Sequence, residues 1–313
     1  MDVARKTIFN LDKNIKNIAV GVSGGGDSMA LAHMMCKWAH ENDVRVHLLT
    51  VNHNLRDNAG QEADQVAKFV SGFPKSSHHI LTWNFESKPD SAIMEHARNA
   101  RYDLMAAYCR DNDISILAIA HHGDDNLETF MFRLAKGSGL DGLTGMKMWG
   151  NLNNELQIYR PLLNNSHTEL IQYCRDNNVQ WIEDPSNRDD KYARPRLRKA
   201  LENEGFDTKR FSKTLIRLSR AHDALDWLVN RAMLLWDGEC IDFQMLKTYP
   251  VDVQIRVLQK IIAETGDVTH SYPPKLERVE DIIATLKPNK SATLYGCLVS
   301  LSKDEISLKI KKS

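Results

Sequence analysis

The 313-residue chain has few cysteines, and none of them is paired in the sequence. The five cysteines form no Cys-x-x-Cys motif, and their number is odd; they are Cys36, Cys109, Cys174, Cys240 and Cys297. This pattern argues against a disulfide framework, a zinc site with sulfur ligands and an iron–sulfur cluster. It is typical of reduced thiols, so we expect a cytoplasmic protein.

Long apolar runs, an excess of charge, internal repeats and low-complexity segments are also missing. No run of about 18 apolar residues occurs, so the sequence predicts no membrane-spanning helix and no membrane partner. The 41 Lys and Arg residues balance 41 Asp and Glu residues. Any surface that binds a polyanion must therefore be a local concentration of basic residues.

Segments typical of strands and helices alternate through the first half of the chain. Predicted strands cover residues 18–22, 44–51, 79–83, 114–120 and 156–159, and predicted helices cover 27–40, 61–72, 91–112 and 166–178. This alternation predicts an α/β fold, a Rossmann-like parallel sheet with helices on both faces. Ligands of such sheets gather at the carboxyl ends of the strands.

The chain is long enough for two domains. We predict a catalytic domain over residues 1–215. A smaller, mostly helical domain follows over residues 216–313, with helices at 213–236, 251–265 and 274–286. Strands at 291–299 and 306–310 read as a terminal β-hairpin.

A glycine-rich loop follows the first predicted strand directly, in the segment IAVGVSGGGDS. Consecutive glycines let backbone N–H groups close around phosphate oxygens, and the next helix adds the positive end of its dipole. A Walker A loop would require Lys where Asp27 stands, and the fingerprint G-x-G-x-x-G does not fit. Asp27 beside phosphates requires a divalent cation, so the loop predicts a nucleotide with Mg²⁺; the alternative is an ordinary glycine turn with a capping Asp.

Polar residues also follow the other predicted strands. His53 and Arg56 come after the second strand and are expected near the nucleotide. Arg98 and Arg101 share a face of the third helix with Glu95; they either face phosphate or form a solvated salt-bridged surface.

The segment AHHGDDNLET follows the fourth predicted strand. Asp125 and Glu128 are three residues apart at the start of a helix, so they share a face. They could bind a ligand or a metal, or they could simply complement the helix dipole.

A basic segment then extends from Arg188 to Arg220. It holds 11 Lys and Arg residues against 5 Asp and Glu residues, a net charge of +6 in a chain that is otherwise balanced. This local excess predicts a polyanion partner, and a solvated basic helix is the alternative.

The loop SGGGDS resembles the SGGxDS signature of the N-type ATP pyrophosphatases, the PP-loop enzymes. The segments VNHNLR, EHARNARY, AHHGDDNLET, RLAKGSGLDGL, YRPLL and WIEDPSN follow in this order. Together they resemble the tRNA(Ile)-lysidine synthetase family over most of residues 18–200. The resemblance implies an adenine nucleotide alpha hydrolase-like fold and the cofactors ATP and Mg²⁺.

The resemblance also implies a reaction. ATP adenylates the wobble cytidine, position 34, of the isoleucine tRNA with a CAU anticodon. Free L-lysine then displaces AMP, which changes codon recognition from AUG to AUA. The implied catalytic residues are Asp27, Asp125, Glu128 and Arg101, with Asp27 and Asp125 as metal ligands. The implied nucleotide-binding residues are Ser23, Gly24, Gly25, Gly26, Asp27, Ser28, His53 and Arg98. The C-terminal domain is expected to bind tRNA, and a homodimer is compatible with the sequence.

Two other functions are compatible with parts of this pattern. A sulfur-transferring PP-loop enzyme of the 2-thiocytidine type would need reactive cysteines, usually in pairs, which this sequence lacks. A non-catalytic nucleotide sensor would explain the glycine loop, but neither the carboxylate cluster nor the basic segment.

Overall fold

The computed structural model describes residues 11–12, 15–54, 59–84, 93–153, 155–183, 193–266, 273–288, 290–304 and 306–312. Arg56 and the residues of the WIEDPSN motif from Asp184 onward lie outside these ranges. The contacts divide the chain into two compact units, Met1–Ile216 and Arg217–Ser313. Each unit has its own apolar core.

The first unit contains a six-stranded sheet. Its strands are β1 (Asn17–Gly21), β2 (Arg45–Asn52), β3 (Ser76–Thr82), β4 (Ile116–Ala118), β5 (Trp149–Asn151) and β6 (Gln157–Tyr159). Their order is β3-β2-β1-β4-β6-β5. Five strands are parallel, which confirms the predicted sheet, and β5 pairs antiparallel with β6. The sequence did not predict β5, because a three-residue edge strand has too little periodicity to detect.

Helices cover both faces of this sheet. They are α1 (Gly26–Asn42), α2 (Ala59–Val70), α3 (Ile93–Asp111), α4 (Gly123–Ala135), α5 (Leu140–Leu143), α6 (His167–Asp176) and α7 (Ala193–Asn203), and α8 (Thr208–Ala232) follows across the boundary between the units. Ile18 and Val20 of β1 belong to a core cluster with α1 and α6, whereas Ala19 belongs to a cluster with α3 on the other face. The alternation of side chains along the strand therefore gives the sheet two apolar faces.

The strand order positions the glycine loop. Strand β1 lies between β2 and β4, so the chain leaves the sheet on opposite sides after β1 and β4. A crevice opens at such a switch point, at the carboxyl ends of the strands. The loop after β1 and the His121–Glu128 segment after β4 therefore face the same edge, and His53 after β2 and Arg160 after β6 flank them.

The second unit combines helices with a small sheet. Its further elements are a 3₁₀ turn (Met233–Leu235), α9 (Phe243–Leu246), α10 (Val251–Thr265), α11 (Leu276–Thr285) and strands β7 (Cys240–Asp242), β8 (Ser291–Leu294), β9 (Cys297–Leu301) and β10 (Ser307–Lys312). The strands form an antiparallel sheet in the order β7-β10-β9-β8.

The predicted single strand over 291–299 is wrong. Tyr295 and Gly296 have φ angles of +52° and +70°, so the chain turns there and forms β8 and β9. The predicted terminal hairpin exists as β9 and β10, inside a sheet of four strands.

A helix that crosses a membrane must be both long and apolar. Among the described residues, none of the helices meets both conditions.

Candidate active site

The loop after β1 requires glycine at position 24. Gly24 has a φ of +88°, and a Cβ atom there would lie 2.8 Å from Cγ2 of Val66. A Cβ atom on Gly26, the variable position of the SGGxDS signature, would clash only with the end of the flexible Ile171 side chain, which can move. The constraint at Gly24 keeps the backbone bare in the loop, as a phosphate-binding loop requires.

Ser28 holds the loop in shape. Its hydroxyl donates to the carbonyl oxygen of Gly25 at 2.8 Å and accepts from the backbone N–H of Ser23 at 3.1 Å. The Ser23 hydroxyl donates to the Ser28 Oγ at 3.2 Å. Ser28 is buried and Ser23 is exposed, so Ser23 is the more accessible donor of the two.

Asp27 lies in the first turn of α1 and faces two histidines. Its Oδ1 is 2.8 Å from Nδ1 of His167, and its Oδ2 is 3.6 Å from Nε2 of His122. The three side chains offer ligand atoms that all lie within 4.8 Å of one another. The sequence pointed to Asp27, but it singled out neither histidine as its partner.

His122 is the N-cap of α4, and it links Asp27 to Asp125. Its backbone N–H donates to Oδ2 of Asp125 at 3.1 Å, and its Nε2 lies 3.5 Å from the same oxygen. Burial lowers the pKa of His122, but a hydrogen bond to Asp124 and the charges of Asp125 and Asp27 outweigh burial and raise it. Asp125 thus acts as the capping-box residue of α4 and also faces the buried imidazole.

Asp124 holds the segments around the site together through hydrogen bonds. Its Oδ2 accepts from the backbone N–H of His167 at 2.7 Å, and its Oδ1 accepts from the Thr208 hydroxyl. Burial raises the pKa of Asp124, but the hydrogen bonds from His122, His167 and Thr208 hold it well below its usual range. Asp124 therefore joins the starts of α4, α6 and α8.

Glu128 is a buried carboxylate with one hydrogen-bonded oxygen and one oxygen, here called open, that has no hydrogen-bond partner among the described residues. Its side chain is 2% exposed, and its Oε1 accepts from Nε and Nη2 of Arg198 at 2.8 and 2.6 Å. Its Oε2 is the open oxygen, and it is buried. Burial raises the pKa of Glu128, and the attraction of Arg198 opposes this effect.

This pairing differs from the sequence interpretation, in which the basic segment as a whole binds a polyanion. Arg198 of α7 points at Glu128 instead. Arg196 is exposed.

A group of arginines and histidines lies along the rest of the edge. Burial lowers the pKa of His53, and the charge of Arg101 lowers it further. Burial lowers the pKa of His121 to about 4, where Asp125 opposes the shift and Arg160, Arg98 and Arg101 add to it. The structure therefore brings together the predicted residues His53, Arg98 and Arg101, and adds His121 and Arg160.

Unsatisfied polar atoms concentrate at this edge. Within the described ranges, the buried side-chain atoms without a hydrogen-bond partner include His53 Nδ1, Arg101 Nε, His121 Nδ1, Glu128 Oε2 and Arg160 Nε. Such atoms are costly in a folded protein, and they are tolerated where a ligand completes their hydrogen bonds.

Cys174 is a further residue that the sequence did not assign to the site. Its Sγ lies 3.5 Å from the carbonyl oxygen of Gly26. Burial raises the pKa of this thiol to about 12. Cys174 therefore packs beneath the loop as an unreactive thiol.

The donor set determines which metal the site suits. Mg²⁺ prefers oxygen ligands and is usually bound through one or two carboxylates together with substrate phosphates. The Asp27 carboxylate at the loop fits this pattern, and Asp125 lies 3.5 Å from the same His122 nitrogen that faces Asp27. The two imidazole nitrogens beside Asp27 do not fit Mg²⁺.

Comparisons with known proteins agree with this geometry. Residues 2–204 match the family model of the PP-loop domain. The chain is 35% identical over 293 residues to the tRNA(Ile)-lysidine synthase of Wolbachia pipientis wMel, which covers 90% of this chain and 68% of the relative. The corresponding protein of Ruegeria pomeroyi is 32% identical and covers 91% and 68%, and that of Rickettsia akari is 31% identical and covers 95% and 71%.

A solved structure supports the fold. The U34-tRNA thiolase NcsA from Methanococcus maripaludis, with its 4Fe-4S cluster, superposes with a TM-score of 0.56 at 18% identity. The superposition covers 70% of this chain and 76% of that chain. From the PP-loop match, the level of identity and the share of each relative that is covered, this chain belongs to the tRNA(Ile)-lysidine synthase family of PP-loop proteins.

Proposed function

We propose that this protein joins free L-lysine to C2 of the wobble cytidine of an isoleucine tRNA with a CAU anticodon, at the expense of ATP. It is a ligase that forms a carbon–nitrogen bond and releases AMP and pyrophosphate. The observation that carries the proposal is a group of five buried polar atoms that lack hydrogen-bond partners among the residues the structure describes; they belong to His53, Arg101, His121, Glu128 and Arg160. The nitrogen atoms of this group could bind the oxygens of an anion, and the Glu128 oxygen could accept a hydrogen bond from an ammonium group.

The glycine loop, the arginines and His53 account for the first step, the adenylation of the cytidine. Backbone N–H groups of Gly24 to Asp27 and the start of α1 would bind the β- and γ-phosphates of ATP. Arg98, Arg101 and His53 would contact the remaining negative charge. With the phosphates held, the cytidine O2 attacks the α-phosphorus in line; the bond from that phosphorus to the bridging oxygen breaks, and pyrophosphate leaves.

A divalent cation belongs to this step in the family as a whole. Bound Mg²⁺ would supply positive charge to the pyrophosphate leaving group. Asp27 would hold it, and Asp125 is the second predicted ligand.

The carboxylates account for the second step. The open Oε2 of Glu128 is a buried acceptor suited to the lysine ammonium, and Asp125 lies one helical turn earlier on the same helix. One of these two carboxylates takes a proton from the ammonium, which makes the amine a nucleophile. The nitrogen then attacks C2, the bond between C2 and O2 breaks, and AMP departs with O2.

The exposed basic residues of α7 and α8 provide the tRNA contact in this proposal. Arg194, Arg196, Lys209 and Arg210 are exposed and belong to the segment of net charge +6. Contacts of this kind go to phosphates and position the substrate without reading its sequence. We assign tRNA binding to the second unit as well, and a homodimer remains a prediction.

The sulfur-transfer alternative lacks its reactive group. All five cysteines are free, and four of them are buried. Burial raises the pKa of Cys36 and Cys109 to about 12, as it does for Cys174. Nucleophilic sulfur chemistry requires an accessible thiolate, so these residues favour lysine as the acceptor partner over sulfur.

A single assay tests the proposal. The protein is incubated with ATP, labelled lysine and tRNA carrying the CAU anticodon, and label is measured in the RNA. We expect label that depends on both ATP and tRNA, together with release of pyrophosphate. Pyrophosphate release without label in the RNA would point to another acceptor, and absence of both would favour the sensor.

A further inference from the structure

We infer that Asp27, His122 and His167 form a binding site for a transition-series divalent cation such as Mn²⁺, Co²⁺ or Zn²⁺, and that this site takes the ion in the absence of nucleotide. The site overlaps the one used in the proposed function. It is defined by this chain's own side chains, so it does not depend on ATP, lysine or tRNA.

The distances between the three side chains suit a metal centre. Tetrahedral coordination with bonds of about 2.0 Å places neighbouring ligand atoms roughly 3.3 Å apart. Oδ1 of Asp27 is 2.8 Å from Nδ1 of His167, and Oδ2 is 3.6 Å from Nε2 of His122. The two imidazole rings are 5.7 Å apart between centroids. Small side-chain rotations would therefore bring one oxygen and two nitrogens around one ion.

His122 is held with its Nε2 toward Asp27. Its Nδ1 accepts from the backbone N–H of Asp124 at 3.2 Å and lies 3.5 Å from Oδ2 of the same residue. With Nδ1 as an acceptor, the neutral ring carries its proton on Nε2, and an ion at Nε2 would replace that proton. The contacts of Asp124 behind the ring fix the orientation of the imidazole, as such groups do in metal sites.

His167 is held in position through its backbone. Its backbone N–H donates to the same Asp124 carboxylate at 2.7 Å, and Ser166 caps α6 immediately before it. Asp124 thus positions both histidines. Among the described residues, no other group of three acidic, histidine or cysteine side chains brings its ligand atoms as close together.

The choice of ion follows from the donors. Imidazole nitrogen suits Zn²⁺, Co²⁺ and other transition-series ions, whereas Mg²⁺ is bound by carboxylates, carbonyls and water. Three protein ligands leave at least one coordination position open, as catalytic metal sites do. A phosphate oxygen of the nucleotide could fill that position later.

The test measures ion binding to the full chain without nucleotide or tRNA. Mn²⁺, Zn²⁺ and Mg²⁺ are titrated separately by calorimetry. The environment of bound Mn²⁺ is examined by electron spin-echo spectroscopy for coupling to imidazole nitrogen. We expect one ion per chain for Mn²⁺ and Zn²⁺, at least tenfold weaker binding of Mg²⁺, and a nitrogen signal from bound Mn²⁺.

Two histidine variants complete the test. His167→Ala removes a half-exposed side chain and keeps the backbone N–H that Asp124 accepts, so folding should survive, which circular dichroism checks. We expect binding of Mn²⁺ and Zn²⁺ to weaken at least tenfold. His40→Ala removes an exposed imidazole at the end of α1 and should leave binding within twofold.

Three results would overturn the inference: no binding by the unmodified chain, equal affinity for Mg²⁺, or unchanged affinity in His167→Ala. His167 would then only orient Asp27 through a hydrogen bond. Because no substrate is present, such a result would leave the labelled-lysine assay and the proposed function untouched.

Discussion

Each unit of this protein contains a histidine between carboxylates, but the two arrangements differ in how the chain assembles them. In the second unit, Nδ1 of His222 lies 3.2 Å from Asp226 and 3.9 Å from Asp223, and all three residues belong to one stretch of α8. In the first unit, Asp27, His122 and His167 come from the starts of three different helices. The His222 cluster depends on helical spacing alone, whereas the Asp27 cluster depends on the folding of the whole sheet.

The surroundings of the two clusters explain why we assign chemistry only to the first unit's cluster. Asp223 and Asp226 are 68% and 49% exposed, so water reaches both carboxylates, although the His222 side chain is 12% exposed. The His122 side chain is 4% exposed, and within the described part of the chain its sequence neighbours His121 and Glu128 hold buried polar atoms without a hydrogen-bond partner. The same pair of residue types thus meets solvent through its carboxylates in one place and belongs to a candidate active site in the other.

Replacing Asp27 by Asn gives the sharpest contrast between the two clusters. We expect lysine incorporation to fall about 1,000-fold, since the charge that binds the cation beside the leaving group is lost. The matched variant Asp226→Asn should change the rate less than about threefold, because an exposed i,i+4 pair contributes little. Equal losses in the two variants, at equal thermal stability, would remove the distinction between the clusters.

A core substitution in the second unit should weaken the packing of that unit and leave the candidate active site of the first unit unchanged. Ile262 of α10 is fully buried in the core of that unit. We expect Ile262→Ala to lower the free energy of unfolding by about 3 kcal/mol, as measured by denaturant titration. Binding of ATP to the folded protein should be unchanged; a lost ATP site would mean that the two units are not independent.

Replacing Glu128 by Gln tests the open oxygen at the site. We expect the KM for lysine to rise about 30-fold, because the buried acceptor loses its charge, while pyrophosphate release at saturating ATP and tRNA changes much less. Arg198→Gln breaks the same ion pair from the other side and serves as the comparison. If both variants reduced both steps equally, Glu128 would serve only to hold α7.

Variants of two arginines of α7, Arg196 and Arg198, distinguish the proposed tRNA-binding surface from the candidate active site. Arg196→Gln should weaken tRNA binding about fivefold and reduce the slope of log affinity against log salt concentration by about one charge. Arg198→Gln should leave the salt slope nearly unchanged, since Arg198 is bound to Glu128. A slope that responds only to Arg198 would reverse these assignments.

The smallest expected effect concerns acid stability at a histidine of β2 that lies away from the loop. Burial lowers the pKa of His47 from 6.5, and the charges of His79 and Arg45 lower it further. A histidine with a lowered folded-state pKa contributes full stability above pH 6.5, and this contribution is lost as the pH falls below that value. The fall in Tm between about pH 7.5 and about pH 5.5 should therefore be about 2 °C smaller in His47→Gln.

An unchanged pH dependence in His47→Gln would assign acid sensitivity to other groups. His40→Gln is the control, because this exposed residue should follow the unmodified protein.

The sequence predicted well what depends on local order. The strand, loop and helix around Asp27 are contiguous, so hydrophobic periodicity and glycine spacing revealed them together. The parallel sheet followed from the alternation of elements, and its carboxyl edge indicated where His53 and the AHHGDDNLET segment would lie.

The parts that the sequence did not reveal depend on contacts between distant residues. His167 lies 140 positions from Asp27, and nothing in its neighbourhood distinguishes it from an ordinary first residue of a helix. Cys174 reaches the loop across 148 positions. Arg198 looked like one of several basic residues, because its pairing with a buried Glu128 is visible only once α4 and α7 are packed.

One structure would test the central claim most directly: the full chain determined with ATP, lysine and a divalent cation. We predict that the triphosphate contacts the backbone from Gly24 to Asp27, and that the lysine ammonium lies within hydrogen-bond distance of Oε2 of Glu128 or of the Asp125 carboxylate. A triphosphate bound away from this loop, or a lysine bound away from both carboxylates, would contradict the account.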